Sequence, residues 1–392
     1  MLKYLFFMQK GSLIDWKYNQ SRSFDLLRFP MAIFVVFAHM APITVNPISS
    51  DFSFFSWQGI HNFIGLFISK GIALVTVPTF FLISGYLFFL NLNGWDWNGY
   101  KKKLKSRKHT LFIPYIVWNV LSFLLIVGKD LATAFTNGQP LGEATGFFDK
   151  YWSSFLWNCC SWGEAQYSWV PWLSYETGPI DLPLWFIRDL MVIALLSPVV
   201  YMFVKKTRIW GVIVLMFLYV SHLWPNLPGL SASTLYFVLG AYFAINGYNV
   251  VCFARKYRYV FFSMFLISFS FFFYFYQSNI DLTGISQNLF IFSGVFCAFV
   301  VSSLFIEKKD IIPNKLLVGS CFFVYAEHNC MPIGALSKVD LIIENLIPGE
   351  SYWEDTVRLI FCPLIAVALL VGVYWMLKRY TPKIANVLSG NR

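Results

Sequence analysis

Arg28 and His39 lie within one largely apolar run, residues 23–40, and their types and spacing could support chemistry. In an α-helix, eleven residues advance about 16 Å and complete nearly whole turns, so both side chains would share one face at different heights. An Arg near the middle of a membrane costs about 2.5 to 3.5 kcal/mol on translocon scales, so an ionisable group at that depth is a functional-site hypothesis by default. The pair therefore predicts a site inside the protein.

Arg28 and His39 each have a second interpretation. His39 follows the apolar residues 33–38 and could act as a general base near pH 7, or it could be a hydrogen-bonded core histidine that links helices. Arg28 lies near the start of the run, where snorkelling to the interface would relieve most of the cost of burial. Pro30 disfavours helical geometry at Phe29 and offers an alternative start for the helix. From physics alone, an interfacial anchor is the preferred interpretation of Arg28.

The composition indicates a polytopic membrane protein. Of the 392 residues, 57% are hydrophobic and 13% are charged, whereas soluble domains carry roughly 25% charged residues. The net charge of +10 comes from basic residues between apolar segments, so membrane topology explains it and no nucleic-acid partner is expected. The seven Cys lack a C-x-x-C spacing, so we expect no metal site and no disulfide framework. We also expect no cleavable signal peptide.

Hydropathy and charge together predict the topology. Ten segments are long and apolar enough to cross ~30 Å of hydrocarbon. They are residues 24–44, 70–91, 109–127, 184–204, 209–224, 230–246, 259–277, 286–306, 317–336 and 357–377. Lys and Arg collect in alternate connections and at both ends of the chain, as the positive-inside rule requires of cytoplasmic segments. The sequence therefore predicts an all-α protein with about ten transmembrane helices and both termini in the cytoplasm.

This topology divides the chain into three parts. We predict a cytoplasmic N-terminal segment at 1–22, a transmembrane domain at 23–380 and a cytoplasmic tail at 381–392. Within the domain, an outer loop at 128–183 is too long for a simple connector. Its tryptophans could stack on sugar rings or lie at the membrane interface, where Trp is enriched. They are Trp152, Trp157, Trp162, Trp169 and Trp172.

Five short segments in order resemble the integral-membrane acyltransferase family, often called acyltransferase type 3. Asp25-Leu-Leu-Arg28, ten further residues and His39 resemble the Arg/Lys-x10-His motif of that family. The other four are Phe80-Phe-Leu-Ile-Ser-Gly-Tyr86, Ile113-Pro-Tyr-Ile-Val-Trp-Asn119, Pro183-Leu-Trp-Phe-Ile-Arg-Asp-Leu190 and Ser320-Cys-Phe-Phe-Val-Tyr-Ala-Glu-His328. The resemblance covers roughly residues 21–380 and implies ten spans with a cytoplasmic N-terminus, in agreement with the topology above.

The resemblance implies transfer of an acyl group, usually acetyl, from cytoplasmic acetyl-CoA to a hydroxyl of an extracytoplasmic or lipid-linked glycan. His39 would deprotonate the acceptor hydroxyl or first accept the acyl group itself, and the sequence does not separate these routes. The phosphates of coenzyme A would be bound by cations near the cytoplasm, namely Arg28, Lys103, Arg107 and Lys108. For each lysine, ordinary positive-inside charge is an equally good explanation. Asp25 could orient Arg28 or form an interfacial salt pair.

Further polar residues are candidates for contact with substrate or for lining a tunnel. Arg188 opens the fourth span from the outer side beside Asp189, and the alternative is a structural ion pair near the outer interface. Glu327 and His328 could line the tunnel or link helices. Trp169 and Trp172 are candidates in the outer loop. Ser84-Gly85 is interpreted as a point of close helix packing in preference to a nucleophile.

The preferred interpretation is a membrane O-acyltransferase in a bacterial cytoplasmic membrane, surrounded by lipid, that modifies a surface carbohydrate. One alternative is a transporter or polysaccharide flippase, because buried charges and many spans also mark transport paths. The sequence shows neither a clear internal repeat nor paired broken helices, which disfavours that alternative. A membrane sensor without catalysis is a second alternative, but it leaves His39 without a role.

Overall fold

The structure is a computed structural model. It describes residues 13–39, 56–91, 94–138, 146–157, 160–164, 175–224, 229–278, 282–309, 311–328, 334–347 and 351–391. The predicted spans can be compared with the helices in these ranges, whereas Trp169 and Trp172 lie outside them.

Helices dominate the described part of the chain. Numbered in order, they are α1 (Leu13–Ala38), α2 (Trp57–Gly65), α3 (Ala73–Phe89), α4 (Trp97–Arg107), α5 (Ile113–Thr136), α6 (Gly146–Tyr151), α7 (Trp185–Leu195), α8 (Ser197–Val220), α9 (Thr234–Ile245), α10 (Val250–Lys256), α11 (Arg258–Ser278), α12 (Thr283–Lys309), α13 (Lys315–Glu327), α14 (Ala335–Leu346), α15 (Tyr352–Tyr380) and α16 (Pro382–Ser389). Wider π-helical turns join α2 to α3 at Leu66–Ile72 and α4 to α5 at Lys108–Phe112. The predicted helical class is therefore correct for the bundle.

Two short strands are the exception to the all-α prediction. β1 (Cys160–Glu164) and β2 (Tyr175–Gly178) pair antiparallel within the predicted outer loop. The strands lie between α6 and α7, so this loop has secondary structure of its own. Long loops with internal structure commonly have a function beyond connecting two elements.

Several helices are suited to a membrane. Among the described residues, five are long and apolar enough to cross one, and the number rises to seven if each of two bent pairs is one span. The bent pairs are α7 with α8, at 65°, and α9 with α10, at 99°. The chain is thus a multi-pass membrane protein, while the number ten and the cytoplasmic termini stay predictions.

The first helix is longer than the sequence indicates. α1 begins at Leu13, well before residue 24, and continues through Pro30, so Pro30 does not mark its start. The exposed proline ring is accommodated on the outer face of the helix, while Leu27 and Met31 are buried on the inner face. Apolar side chains at this spacing form one helical stripe, which holds α1 against α3, α12 and α13. Arg28 therefore lies on α1, and His39 lies in the turn that directly follows its last residue.

Two glycines allow α3 and α9 to cross at very short range. A methyl group on Gly85 would overlap the backbone carbonyl of Phe237, and one on Gly240 would overlap the carbonyl of Leu82. Small residues allow such close approach between membrane helices. The interpretation of Ser84-Gly85 as a packing point is confirmed for Gly85.

Replacing Gly85 by alanine is expected to destabilise the bundle by about 3 kcal/mol or more, since overpacking costs 1–3 kcal/mol even where side chains can adjust and here the contact is backbone. Thermal unfolding of the purified protein in detergent measures the loss. Gly372→Ala in α15 is the matched control, because nothing lies within 4 Å of its added methyl group. Equal stability of the two variants would contradict the close crossing.

Candidate active site

His39 and His328 are close neighbours in the structure. His39 directly follows α1 and donates its backbone N–H to the carbonyl of Val36 at 3.1 Å. His328 caps α13 and is fully buried. The centroids of the two imidazole rings are 4.8 Å apart, and the ring planes make an angle of 51°. Two residues that are far apart in the sequence thus form one imidazole pair.

The hydrogen bond of His328 defines its tautomer. Its Nδ1 lies 2.8 Å from the carbonyl oxygen of Tyr325. A carbonyl only accepts hydrogen bonds, so Nδ1 carries the proton, and the neutral ring keeps a lone pair on Nε2. That Nε2 is buried and has no hydrogen-bond partner among the described residues. Buried nitrogen atoms without a partner are uncommon, and they are typical of sites where another group binds.

Glu327 and the backbone of His328 fasten two helices together. A carboxylate oxygen of Glu327 accepts the backbone N–H of Gly334 at 3.3 Å, and the carbonyl of His328 accepts the N–H of Leu336 at 2.8 Å. Both contacts join the end of α13 to the start of α14. Of the two roles considered for Glu327, linking helices is thus the one its contacts support.

Lys70 is a charged neighbour of His39 that the sequence interpretation missed. It belongs to the π-helical turn between α2 and α3, is half-buried and interacts electrostatically with His39. π-Helical turns often occur at functional sites. A single Lys at the start of a predicted span was the available signal, but it does not indicate which side chain the ammonium approaches.

A second part of the site is a cavity of about 350 Å³ lined by Arg28, Lys103 and Arg107. Ser84 also lines it, and its buried hydroxyl has no hydrogen-bond partner among the described residues. Asp25 forms a salt bridge with Arg28, with 3.0 Å between the charged atoms. Three of the four predicted cations, Arg28, Lys103 and Arg107, therefore line one cavity. Lys108 is exposed and does not line the cavity.

Lys103 has a structural contact as well. Its ammonium donates to the carbonyl oxygens of Leu87, Phe88 and Leu90, at 3.4 Å to Leu87 and 3.3 Å to Leu90. These carbonyls end α3, where the helix dipole is negative and a cation is stabilising. Arg28 and Arg107 are thus the cations of the cavity whose side chains are less committed to the backbone.

Phe186 connects the cavity to the imidazole pair. Its ring lines the cavity and packs edge-to-face on Tyr325, with 5.4 Å between centroids. The hydroxyl of Tyr325 donates a hydrogen bond to the carbonyl of Pro183, and the backbone carbonyl of Tyr325 accepts a hydrogen bond from Nδ1–H of His328. A short apolar wall therefore separates the cations from His328, and the segments 80–86, 183–190 and 320–328 meet there.

Arg188 and Asp189 form a buried ion pair. The guanidinium donates from Nε at 3.0 Å, and Nη2 lies 2.9 Å from the same Asp189 oxygen. Nη1 donates to the carbonyl of Trp157 at 2.6 Å, while the other Asp189 oxygen accepts the N–H of Ser231 at 3.1 Å. These contacts agree with a structural ion pair, which was the alternative considered for Arg188 and Asp189.

The carbonyl of Leu195, at the end of α7, accepts a hydrogen bond from the hydroxyl of Tyr100 in α4 at 3.0 Å, so the end of α7 lies beside the basic segment. The entry of Arg188 and Asp189 from the outer side stays a prediction. Asn119 accepts the backbone N–H of Asp181 at 3.1 Å, and Tyr115 donates to the carbonyl of Leu156. The chain before α7 therefore enters the bundle, and these side chains satisfy its backbone groups.

These features define a membrane-embedded helical protein with an imidazole pair beside a cationic cavity. The chain belongs to the integral-membrane acyltransferase family, whose acyltransferase domain model matches residues 21–378.

A curated relative extends the comparison over almost the whole chain. The succinoglycan biosynthesis protein ExoH of Rhizobium meliloti (strain 1021) is 26% identical over 381 residues, which cover 95% of this chain and 93% of the relative. No solved structure matches the chain.

Proposed function

We propose that this protein transfers an acetyl group from acetyl-CoA on the cytoplasmic side to a hydroxyl of an extracytoplasmic polysaccharide. The observation that carries the proposal is the juxtaposition of His39 and His328, with ring centroids 4.8 Å apart, next to a cavity lined by Arg28 and Arg107. Family membership supports the acyl-transfer reaction. The protein would act in the bacterial cytoplasmic membrane.

The donor end of the site is the cationic cavity. Guanidinium groups bind phosphate through charge-assisted, often bidentate hydrogen bonds. Arg28 and Arg107 supply two guanidinium groups to the cavity. The hydroxyl of Ser84 adds a buried donor without a partner among the described residues. These groups fit an anionic phosphate, and the apolar wall at Phe186 fits the uncharged arm that would carry the thioester toward His39.

His39 supports two chemical routes. As a general base, it takes the proton of the acceptor hydroxyl while the oxygen attacks the thioester carbonyl; the C–S bond then breaks, and the thiolate takes the proton from His39. As an acyl acceptor, its imidazole nitrogen attacks the thioester carbonyl, and the C–S bond breaks to release the thiolate; the acceptor hydroxyl then attacks the acyl group, the C–N bond breaks, and the hydroxyl proton passes to the thiolate. Both routes need a neutral His39 with an available lone pair.

His328 would position His39 in either route. Its Nδ1–H is committed to the carbonyl of Tyr325, so its remaining Nε2 accepts but does not donate. A hydrogen bond from His39 to that nitrogen would fix the tautomer of His39 and leave the second His39 nitrogen free to accept a proton. We assign His328 this positioning role.

The acceptor is proposed from the similar protein. The name of the ExoH protein places that relative in succinoglycan biosynthesis, and the two chains align over nearly their full length. A polysaccharide or its lipid-linked precursor is therefore the proposed acceptor here.

Purified protein incubated with radiolabelled acetyl-CoA and an exopolysaccharide repeat unit tests the function. We expect label in the glycan that mild base releases as acetate, because an ester is formed. A protein that instead moves the glycan across proteoliposomes, with no label incorporated, would be a transporter, and the proposed transferase would be wrong.

Replacing Arg107 by glutamine is expected to raise the KM for acetyl-CoA roughly ten- to a hundredfold with little change in kcat, since a hydrogen bond to a charged group contributes about 1.5–3 kcal/mol. Initial rates at varied acetyl-CoA measure the effect. Lys101→Gln, an exposed cation on the same helix outside the cavity, is the control. Equal KM values for the two variants would exclude the cavity as the donor site.

A further inference from the structure

A second cavity, of about 850 Å³, lies on the other side of α9 from the cationic cavity. The second half of α8 forms one wall, and the aromatic rings of Phe243, Phe253 and Phe296 form the other. Its polar residues are at one end, because Lys205 and Arg208 precede the apolar stretch of α8 while Asn246 ends α9. The cavity therefore has a charged end and an apolar body.

The backbone at Arg208 shapes the charged end. Within α8 this residue leaves helical geometry, with φ 53° and ψ −133°, so α8 consists of two helical pieces. Positive φ is unfavourable for an arginine, and such residues cluster at functional positions. The break lets the chain turn while Lys205 and Arg208 both line the cavity.

The charges of the cavity are of one sign. Lys205 and Arg208 line it, and no Asp or Glu is among its described lining residues. Neither cation forms an ion pair with another described residue, whereas the nearby Arg255 pairs with Glu307. The charged end is thus complementary to an anion.

The cavity also borders an exposed apolar face of α8. Ile209 and Ile213 line it and are 38% and 48% exposed, and the neighbouring Trp210 is 71% exposed. Large exposed apolar side chains on a membrane helix face lipid. A ligand could therefore enter sideways from the bilayer without crossing water.

We propose that this cavity binds one anionic phospholipid of the cytoplasmic leaflet. Its phosphate lies at Lys205 and Arg208, and one acyl chain lies between the aromatic wall and α8. Basic pockets between membrane helices on the cytoplasmic side bind anionic headgroups in this manner. The site is separate from the residues assigned to acyl transfer, so it stands whether or not the proposed reaction is correct.

The test compares lipid retention by the full-length protein in nanodiscs of phosphatidylglycerol and phosphatidylcholine in equal parts. After release from the nanodiscs, native mass spectrometry counts the lipids that stay bound. We expect phosphatidylglycerol to be retained in preference. Neutralising Lys205 or Arg208 to glutamine should lower that preference about fivefold each, since one cation near a membrane surface contributes about that factor.

Two further variants separate charge from cavity shape. The double variant Lys101→Gln/Lys102→Gln removes two exposed cations elsewhere and should leave the preference unchanged. Met216→Trp should reduce retention of both lipids, because its ring would fill the cavity while both cations remain. Equal retention of the two lipids by the wild type, or displacement of phosphatidylglycerol by acetyl-CoA, would overturn the proposal.

Discussion

Replacing His39 by alanine is expected to lower acyl transfer by roughly 10²- to 10⁴-fold, the usual contribution of a general base. On the proposed mechanism the His39 imidazole accepts the hydroxyl proton or the acyl group, while the Nε2 of His328 accepts a hydrogen bond from His39 and holds its ring in place. The initial rate of label transfer from acetyl-CoA to glycan measures the loss. Thermal unfolding should be nearly unchanged, since His39 is partly exposed at the end of α1.

His109→Ala is the matched control for this variant. His109 is exposed, lies in the π-helical turn after α4 and is not among the residues that line the cationic cavity. Its loss should leave the rate within a factor of about two of the wild type, as expected for a surface substitution away from the chemistry. A His39→Ala protein with the activity of the His109→Ala protein would exclude His39 from the reaction.

The same variants distinguish the two routes. Without acceptor, a wild-type protein that uses an acyl-histidine intermediate should retain label after rapid quenching, and His39→Ala should not. A protein that uses direct transfer should show no label on the chain in either form. The experiment without acceptor thus distinguishes His39 as a general base from His39 as an acyl acceptor.

Replacing Arg188 by alanine is expected to lower the free energy of unfolding by about 3–5 kcal/mol, because Asp189 would then be a buried charge without its partner. Both side chains are almost fully buried, at 3% and 1% exposure. The change would also release the carbonyl of Trp157 from its 2.6 Å hydrogen bond. Thermal or denaturant unfolding in detergent measures the loss.

A double variant tests whether the pair is structural. In Arg188→Leu/Asp189→Leu no charge remains buried, so stability should recover in part, although Trp157 and Ser231 still lose partners. Full stability of Arg188→Ala with loss of transfer would instead identify Arg188 as a substrate-binding residue. The sequence alone left both interpretations open.

The parts of the site that could be predicted from the sequence are those carried by regular helices. Arg28 lies on α1, whose stripe of buried apolar residues continues to Phe37, and His39 directly follows this helix. Arg107 meets Arg28 because the basic segment directly precedes the third predicted span. Helical periodicity and the distribution of Lys and Arg are local features, so they can be recognised in a single sequence.

Other parts depend on contacts between distant segments. Lys70 lies in a π-helical turn from which its charge acts on His39, and the helical period changes there without a sequence signal. The chain before α7 packs into the bundle because Asn119 and Tyr115 bind its backbone, and hydropathy does not predict these contacts. The turn at Arg208 requires a backbone conformation that arginine rarely adopts, and nothing in the local sequence predicts it.

We propose that an acyl group passes by way of His39 from a cytoplasmic donor to an acceptor on the other side of the membrane. Sealed, right-side-out vesicles loaded with radiolabelled acetyl-CoA, with glycan acceptor outside, test it directly. We expect wild-type vesicles to label the external glycan and His39→Ala vesicles to label it at least a hundredfold more slowly. Labelling at equal rates in the two, or labelling that requires acetyl-CoA outside, would contradict the account.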